Sequence, residues 1–130
     1  MAIPSVLIAG CGDVGGRLAR QLLAQNWTVF GLRRSIQYLP AGVLPVAADL
    51  VVPQLPLTWP SGPLEYLVYC AAASESSEAG YRAAYVDGLR HVLAWLAHSG
   101  QRPRRVLFVS SSSVYGQKNA EWVDETSAVE

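Results

Sequence analysis

Residues 10–15 read Gly-Cys-Gly-Asp-Val-Gly, and the segments flanking them restrict the fold more than any other feature of the chain. Before them lies Ser5 to Ala9, SVLIA, a short unbroken apolar run of the kind a parallel strand shows when both of its faces are covered. After them, from Val14 to Gln25, Val14, Leu18, Leu22 and Leu23 return at helical spacing, with Arg17, Arg20 and Gln21 between them. Three glycines spaced G-x-G-x-x-G between a strand and a helix form a dinucleotide loop. Gly10 permits the tight turn, Gly12 lets the backbone approach a pyrophosphate, and Gly15 lets the helix pack closely on the strand. The exposed N–H groups at the helix start, around Asp13 and Val14, then face the phosphates. The plainer alternative is a glycine turn that joins strand to helix and binds nothing.

The same alternation continues downstream. Trp27 to Leu32 and Val43 to Ala47 are rich in β-branched, aromatic and aliphatic residues and read as strands two and three. Arg33 to Gly42, between them, is short and contains Pro40, so it holds a turn of helix at most. Pro53, Pro56, Pro60 and Pro63 rule out a helix or interior strand and mark a surface connection. Glu65 to Cys70 reads as strand four. From Glu78 to Ser99, Tyr81, Tyr85, Leu89, Val92, Leu93 and Leu96 keep to one helical stripe, with Ser99-Gly100 as the stop. Arg105 to Val109 reads as strand five. Strands alternating with helices and short right-handed crossovers predict an α/β, Rossmann-type parallel sheet in the order 3-2-1-4-5, layered with helices. The topological switch point then falls beside the glycine loop.

Composition narrows the class further. With 130 residues there is room for one core, spanning 1–130, and 51% hydrophobic against 15% charged residues excludes a disordered chain. Ten basic and ten acidic residues cancel, which removes the field that drives binding to nucleic acid. Every apolar run is interrupted well short of the roughly twenty residues a membrane span needs, so no membrane partner is expected. Cys11 and Cys70 lack the spacing of a zinc site and are too few for a disulfide scaffold. We expect no metal, reduced thiols and a cytoplasmic location. His91 and His98 lie in the long helix with no carboxylate placed to orient them and read as packing or surface residues, and the four tryptophans read as packing residues too.

At the end of strand two, where an NAD site carries an acidic residue, this chain has Arg33 and Arg34. Guanidinium groups bond a 2′-phosphate bidentately, so NADP is the expected cofactor ahead of NAD. Arg34 also fits a solvated loop charge. Asp49, after strand three, is placed either to accept from an adenine amino group or to cap a turn.

These features together resemble the NAD-dependent epimerase/dehydratase family, the extended or atypical branch of the short-chain dehydrogenases/reductases. The resemblance is carried by the glycine loop, Asp49-Leu50, Ala71-Ala72-Ala73 after strand four, the helix YRAAYVDGLRHVL and, most specifically, FVSSSSVYG from Phe108 to Gly116. It implies that Leu50, Ala71, Ala72 and Ala73 join the glycine loop at the cofactor and that Ser111 bonds the reacting oxygen of a small-molecule substrate, a nucleotide sugar or small carbonyl compound. Ser112 and Ser113 stand where the family's dehydratases carry an Asp-Glu pair, which argues against dehydration, and Tyr85 stands where an Asn is common. The family's catalytic Tyr-x-x-x-Lys element falls beyond EWVDETSAVE, so the chain resembles the front part of an enzyme, without the later strands and the substrate region. Such a chain is expected to bind cofactor without turnover and to self-associate or have limited solubility. Ser110 to Ser113 would otherwise be small residues satisfying local backbone groups. A nucleotide-sensing module similar to the regulatory Rossmann domains of potassium transport systems is the competing reading, and a cofactor-binding scaffold within a complex is a third.

Overall fold

The computed structural model of the chain describes residues 3–71 and 77–109. Its elements, in chain order, are β1 (Ser5–Ala9), α1 (Asp13–Ala24), β2 (Thr28–Arg33), a 3₁₀ turn (Ile36–Tyr38), β3 (Leu44–Ala47), β4 (Tyr66–Tyr69), α2 (Glu78–Arg82), a π-helical turn (Ala83–Asp87), α3 (Gly88–His98) and β5 (Arg105–Phe108). The five strands form one parallel sheet in the order β3-β2-β1-β4-β5. The alternation of elements thus led to the correct order.

β1 lies at the centre because nothing in it needs water. Val6, Leu7, Ile8 and Ala9 are all buried, and alternate residues serve opposite faces of the sheet. Leu7 and Ala9 join Leu32, Leu67 and Tyr69 under Val92, Trp95 and Leu96 of α3. Val6 and Ile8 join Val29 and Val68 under Ala19 and the partly buried Leu18, Leu22 and Leu23 of α1. Burying side chains such as Leu7 and Ile8 contributes roughly 1.5–3 kcal/mol each. α1 stops where Asn26 takes a left-handed φ of 64° and its N–H bonds the Leu23 carbonyl, a residue type that tolerates this conformation.

Val14 departs from the expected inward stripe and is exposed. It sits in the first turn, before α1 reaches the sheet; contact with β1 begins at Gly15, above Ile8.

The long helix is not continuous. Between α2 and α3 the turn widens, and the Tyr69 hydroxyl donates to the Ala84 carbonyl inside it. A buried phenol needs an acceptor, and the widened turn supplies one. The extra residue also shifts the helical phase. In α3 the buried positions are Gly88, Val92, Trp95 and Leu96, whereas Leu93, expected on the inner stripe, is exposed.

The proline-rich connection is held by side chains from α3 and from the residues just after it. Gln101, although polar, is buried and its Nε2 donates to the carbonyls of Pro60 (2.7 Å) and Gly62 (2.8 Å), while its Oε1 accepts from Trp59 Nε1 at 2.8 Å. Trp95 Nε1 donates to the Pro53 carbonyl at 3.0 Å. Side chains thus replace the pairing that prolines cannot offer. No helix among the described residues is long and apolar enough to cross a membrane.

Candidate functional site

A cleft of about 550 Å³ opens at the carboxyl ends of β1, β2, β3 and β4, within the range of small-ligand and cofactor sites. This is the switch point: β2 and β3 lie to one side of β1, β4 and β5 to the other.

The glycine loop forms its floor. Gly10 has φ +84°, a conformation that L side chains rarely adopt, and a β-carbon there would lie 2.5 Å from the Ala71 backbone nitrogen. The N–H groups of Gly10 and Cys11 both donate to the Leu32 carbonyl at 2.9 Å, tying the loop to the end of β2. Gly15 is buried behind the loop, and a β-carbon there would lie 2.9 Å from Ile8 Cγ2. Gly12 is the opposite case. A β-carbon on it would meet no protein atom within 4 Å and would project into free space. Gly12 is also the N-cap of α1, with no side chain to accept from the first-turn N–H groups. An anion close to the Gly12 backbone would fill both needs, so the residues present fit a dinucleotide pyrophosphate.

The side walls come from the strand ends. Arg33, the last residue of β2, is half-buried; its Nη1 donates to the Cys11 carbonyl at 3.5 Å and its guanidinium carbon lies 5.4 Å from the Tyr38 ring centroid. Arg34 also lines the cleft but is exposed and makes no hydrogen bond or ion pair among the described residues. Asp49 Oδ1 accepts from the Val51 N–H at 3.1 Å, so it caps its turn while lining the cleft. Leu50 is fastened by its carbonyl, which accepts from His91 Nδ1 at 2.6 Å and so places the proton on that nitrogen. His91 therefore supports the wall from α3. The opposite wall is made by Ala71, Gly80, Ala83 and Ala84, small residues that leave the cleft open.

The structure thus brings Gly10, Gly12, Asp13, Val14, Arg33, Arg34, Asp49, Leu50 and Ala71 around one space. Val14's exposure has its explanation there. Gly15 packs beneath the loop and does not line the cleft. Ala72, Ala73 and Ser111 lie outside the described residues, as do Ser110, Ser112, Ser113, Tyr115 and Trp122. Sequence reasoning missed the small residues of α2 and the π turn, Gly80, Ala83 and Ala84; their clustering near the start of the helix was the available signal.

One free cysteine, Cys11, lies within the loop and the other, Cys70, follows β4. Burial, then the neighbouring Cys70, push the Cys11 thiol up, with Arg33 pulling the other way; burial pushes Cys70 up. Both are neutral thiols near pH 7 and weak nucleophiles.

A family model described as NAD dependent epimerase/dehydratase family matches residues 6–129. A solved structure from Methylobacillus flagellatus, described by family alone as an NAD-dependent epimerase/dehydratase, is 40% identical over 98% of this chain, with a TM-score of 0.69. A UDP-galactose 4-epimerase structure is 20% identical over 97% of the chain (TM-score 0.75), and the Bordetella bronchiseptica enzyme WbmG, solved with NAD and UDP, is 19% identical over 99% (TM-score 0.73). At those lower identities the likeness concerns the fold. The chain spans 44% of the length of each of these three structures. Among curated proteins none is similar enough to match.

Proposed function

The chain belongs to the NAD-dependent epimerase/dehydratase family, and on that premise we propose that its cleft holds NADP(H) in preference to NAD(H), as the cofactor-binding part of an oxidoreductase or sugar epimerase. The observation that carries the cofactor preference is Arg33: a guanidinium, rather than a carboxylate, stands at the end of β2 on the cleft wall. A carboxylate there would accept from ribose hydroxyls and repel a 2′-phosphate, whereas a guanidinium bonds the phosphate.

In this reading the Gly12 backbone and the first turn of α1 receive the pyrophosphate. Arg33 receives the 2′-phosphate, with Arg34 as a second, more solvated cation. Asp49 and Leu50 border the adenine. Ala71 borders the path from the pyrophosphate toward the substrate side, and we propose that Ala72 and Ala73 join it at the cofactor. When bound, the cofactor would supply hydride exchange with a carbinol or carbonyl carbon. Ser111 would donate to the reacting oxygen and orient it, a binding role, since a serine hydroxyl near neutral pH moves no proton without an activating partner. The substrate class we favour is a nucleotide sugar or a small carbonyl compound, supported by the UDP reported with the Bordetella enzyme. No tyrosine in these 130 residues is followed by a lysine four positions on, so the chain by itself is expected to bind cofactor without turnover. Its free thiols suit a reducing cytoplasm.

Calorimetric titration of NADP and NAD into the same sample tests the cofactor reading. A charge-assisted bond to phosphate contributes about 1.5–3 kcal/mol, equivalent to roughly ten- to a hundredfold tighter binding of NADP. Equal affinities, or an NAD preference that survives Arg33→Ala, would sink the idea.

A further inference from the structure

Tyr38 is an aromatic residue with no place in the core: it is 68% exposed, at the end of a three-residue 3₁₀ turn. Packing does not account for it. What its ring does meet is the Arg33 guanidinium, 5.4 Å from the ring centroid. The 3₁₀ turn follows β2 after two residues and is closed by the Tyr38 N–H on the Ser35 carbonyl at 3.3 Å and the Leu39 N–H on the Ile36 carbonyl at 3.1 Å. That closure returns the chain so that the residue five positions after Arg33 comes to lie against its side chain.

Arg33 is therefore held from two sides, by the ring and by the Cys11 carbonyl at 3.5 Å. The second contact is long for a hydrogen bond, so the ring is the restraint that carries more weight. A guanidinium has five N–H donors, and these two contacts leave most of them available on the cleft wall. Arg34 next to it has no such restraint among the described residues.

We propose that Tyr38 is a positioning residue for 2′-phosphate recognition: its ring holds the Arg33 guanidinium in place and so sets part of the discrimination between NADP and NAD. The inference rests on the cofactor reading above and adds which of the two arginines acts and what orients it. A long arginine side chain loses much rotamer freedom when it binds, and a restraint already present in the free protein reduces that loss. The cation–π contact also leaves the edge donors free and the positive charge unopposed by a neighbouring anion, which a carboxylate partner would not.

The test is a double-mutant cycle on the 130-residue chain, reading the dissociation constants of NADP and NAD by titration. Wild type, Tyr38→Ala, Tyr38→Phe, Arg33→Ala and the Tyr38→Ala/Arg33→Ala pair are compared. An exposed cation–π contact corresponds to about a two- to fivefold effect. Tyr38→Ala should weaken NADP by that factor and leave NAD unchanged, Tyr38→Phe should restore wild-type discrimination, and Tyr38→Ala should do nothing further once Arg33 is gone. Because Tyr38 is exposed, the thermal midpoint should stay constant across the Tyr38 variants. If wild type fails to prefer NADP, the cofactor reading falls and this inference with it. If wild type prefers NADP but Tyr38→Ala leaves the ratio unchanged, or weakens both cofactors equally, the positioning role alone is overturned.

Discussion

Gly12 and Gly15 belong to one motif, yet the space around them separates binding from folding. Gly12 has open space where a side chain would go, so Gly12→Val should overpack nothing and cost only about 0.5–1.5 kcal/mol, the difference between glycine and valine at an N-cap. The added side chain would, however, occupy the place of the pyrophosphate, and NADP titration should show no binding. Gly15→Ala should do the reverse in kind: its β-carbon would press on Ile8 Cγ2 at 2.9 Å and on the Gly10 carbonyl oxygen at 3.1 Å, overpacking worth roughly 1–3 kcal/mol. Circular dichroism melts and titrations on both variants check the pair, and normal binding by Gly12→Val would mean that the loop only turns the chain. The roles of these residues could be read from the sequence because they follow from spacing within a few positions. Tyr38 and His91 could not be read that way. His91 acquires its task from the Leu50 carbonyl, 41 residues away, and no local pattern contains that contact.

Among the elements, the interrupted helix is where periodicity misled and packing decides. Apolar spacing from Glu78 to Ser99 is satisfied nearly as well by one straight helix as by two helices joined through a π turn, since a single inserted residue moves the stripe without erasing it. The partner of the widened turn lies on another element, in the hydroxyl of Tyr69 on β4. Tyr69→Phe should leave the Ala84 carbonyl buried without that donor and cost about 1–3 kcal/mol in urea denaturation. The same residue bears on pH dependence. Burial, aided by the nearby Tyr85, raises the Tyr69 phenol above its ordinary value of 10.0. The unfolded chain therefore releases this proton near pH 10 while the folded chain retains it, and stability falls as pH rises through that value. Cys11 and Cys70, also raised, begin the decline near their ordinary thiol value of 9.0. Denaturation curves at pH 7, 9 and 10.5 should show stability dropping across the series, with a shallower final drop in Tyr69→Phe. A flat wild-type profile would contradict the burial of these groups as neutral acids.

At the scale of the whole molecule, the topology was legible because right-handed crossovers and the alternation of strand and helix leave few parallel orders open. What strand order does not reveal is the unequal protection of the sheet's two edges. At the β3 edge Pro45 stands in mid-strand, and proline removes a ladder donor and blunts pairing with another chain. Among the described residues the β5 edge has no such guard. Val106, Leu107 and Phe108 are between 45% and 54% exposed, and they alternate between the two faces of a strand paired through β4. Val86 and Leu93, exposed on the long helix, add to the apolar surface. An edge strand that is apolar on both faces is a template for another strand, so the 130-residue chain should self-associate through β5. Light scattering over a concentration series should show the apparent mass rising, and Leu107→Lys, at the most exposed of these strand positions, should suppress the rise without moving the thermal midpoint by more than a degree or two. A substitution at the β3 edge, Leu44→Lys, should leave the rise intact. If the wild-type chain stays monomeric at high concentration, β5 is not an association edge, and its exposed face needs another explanation.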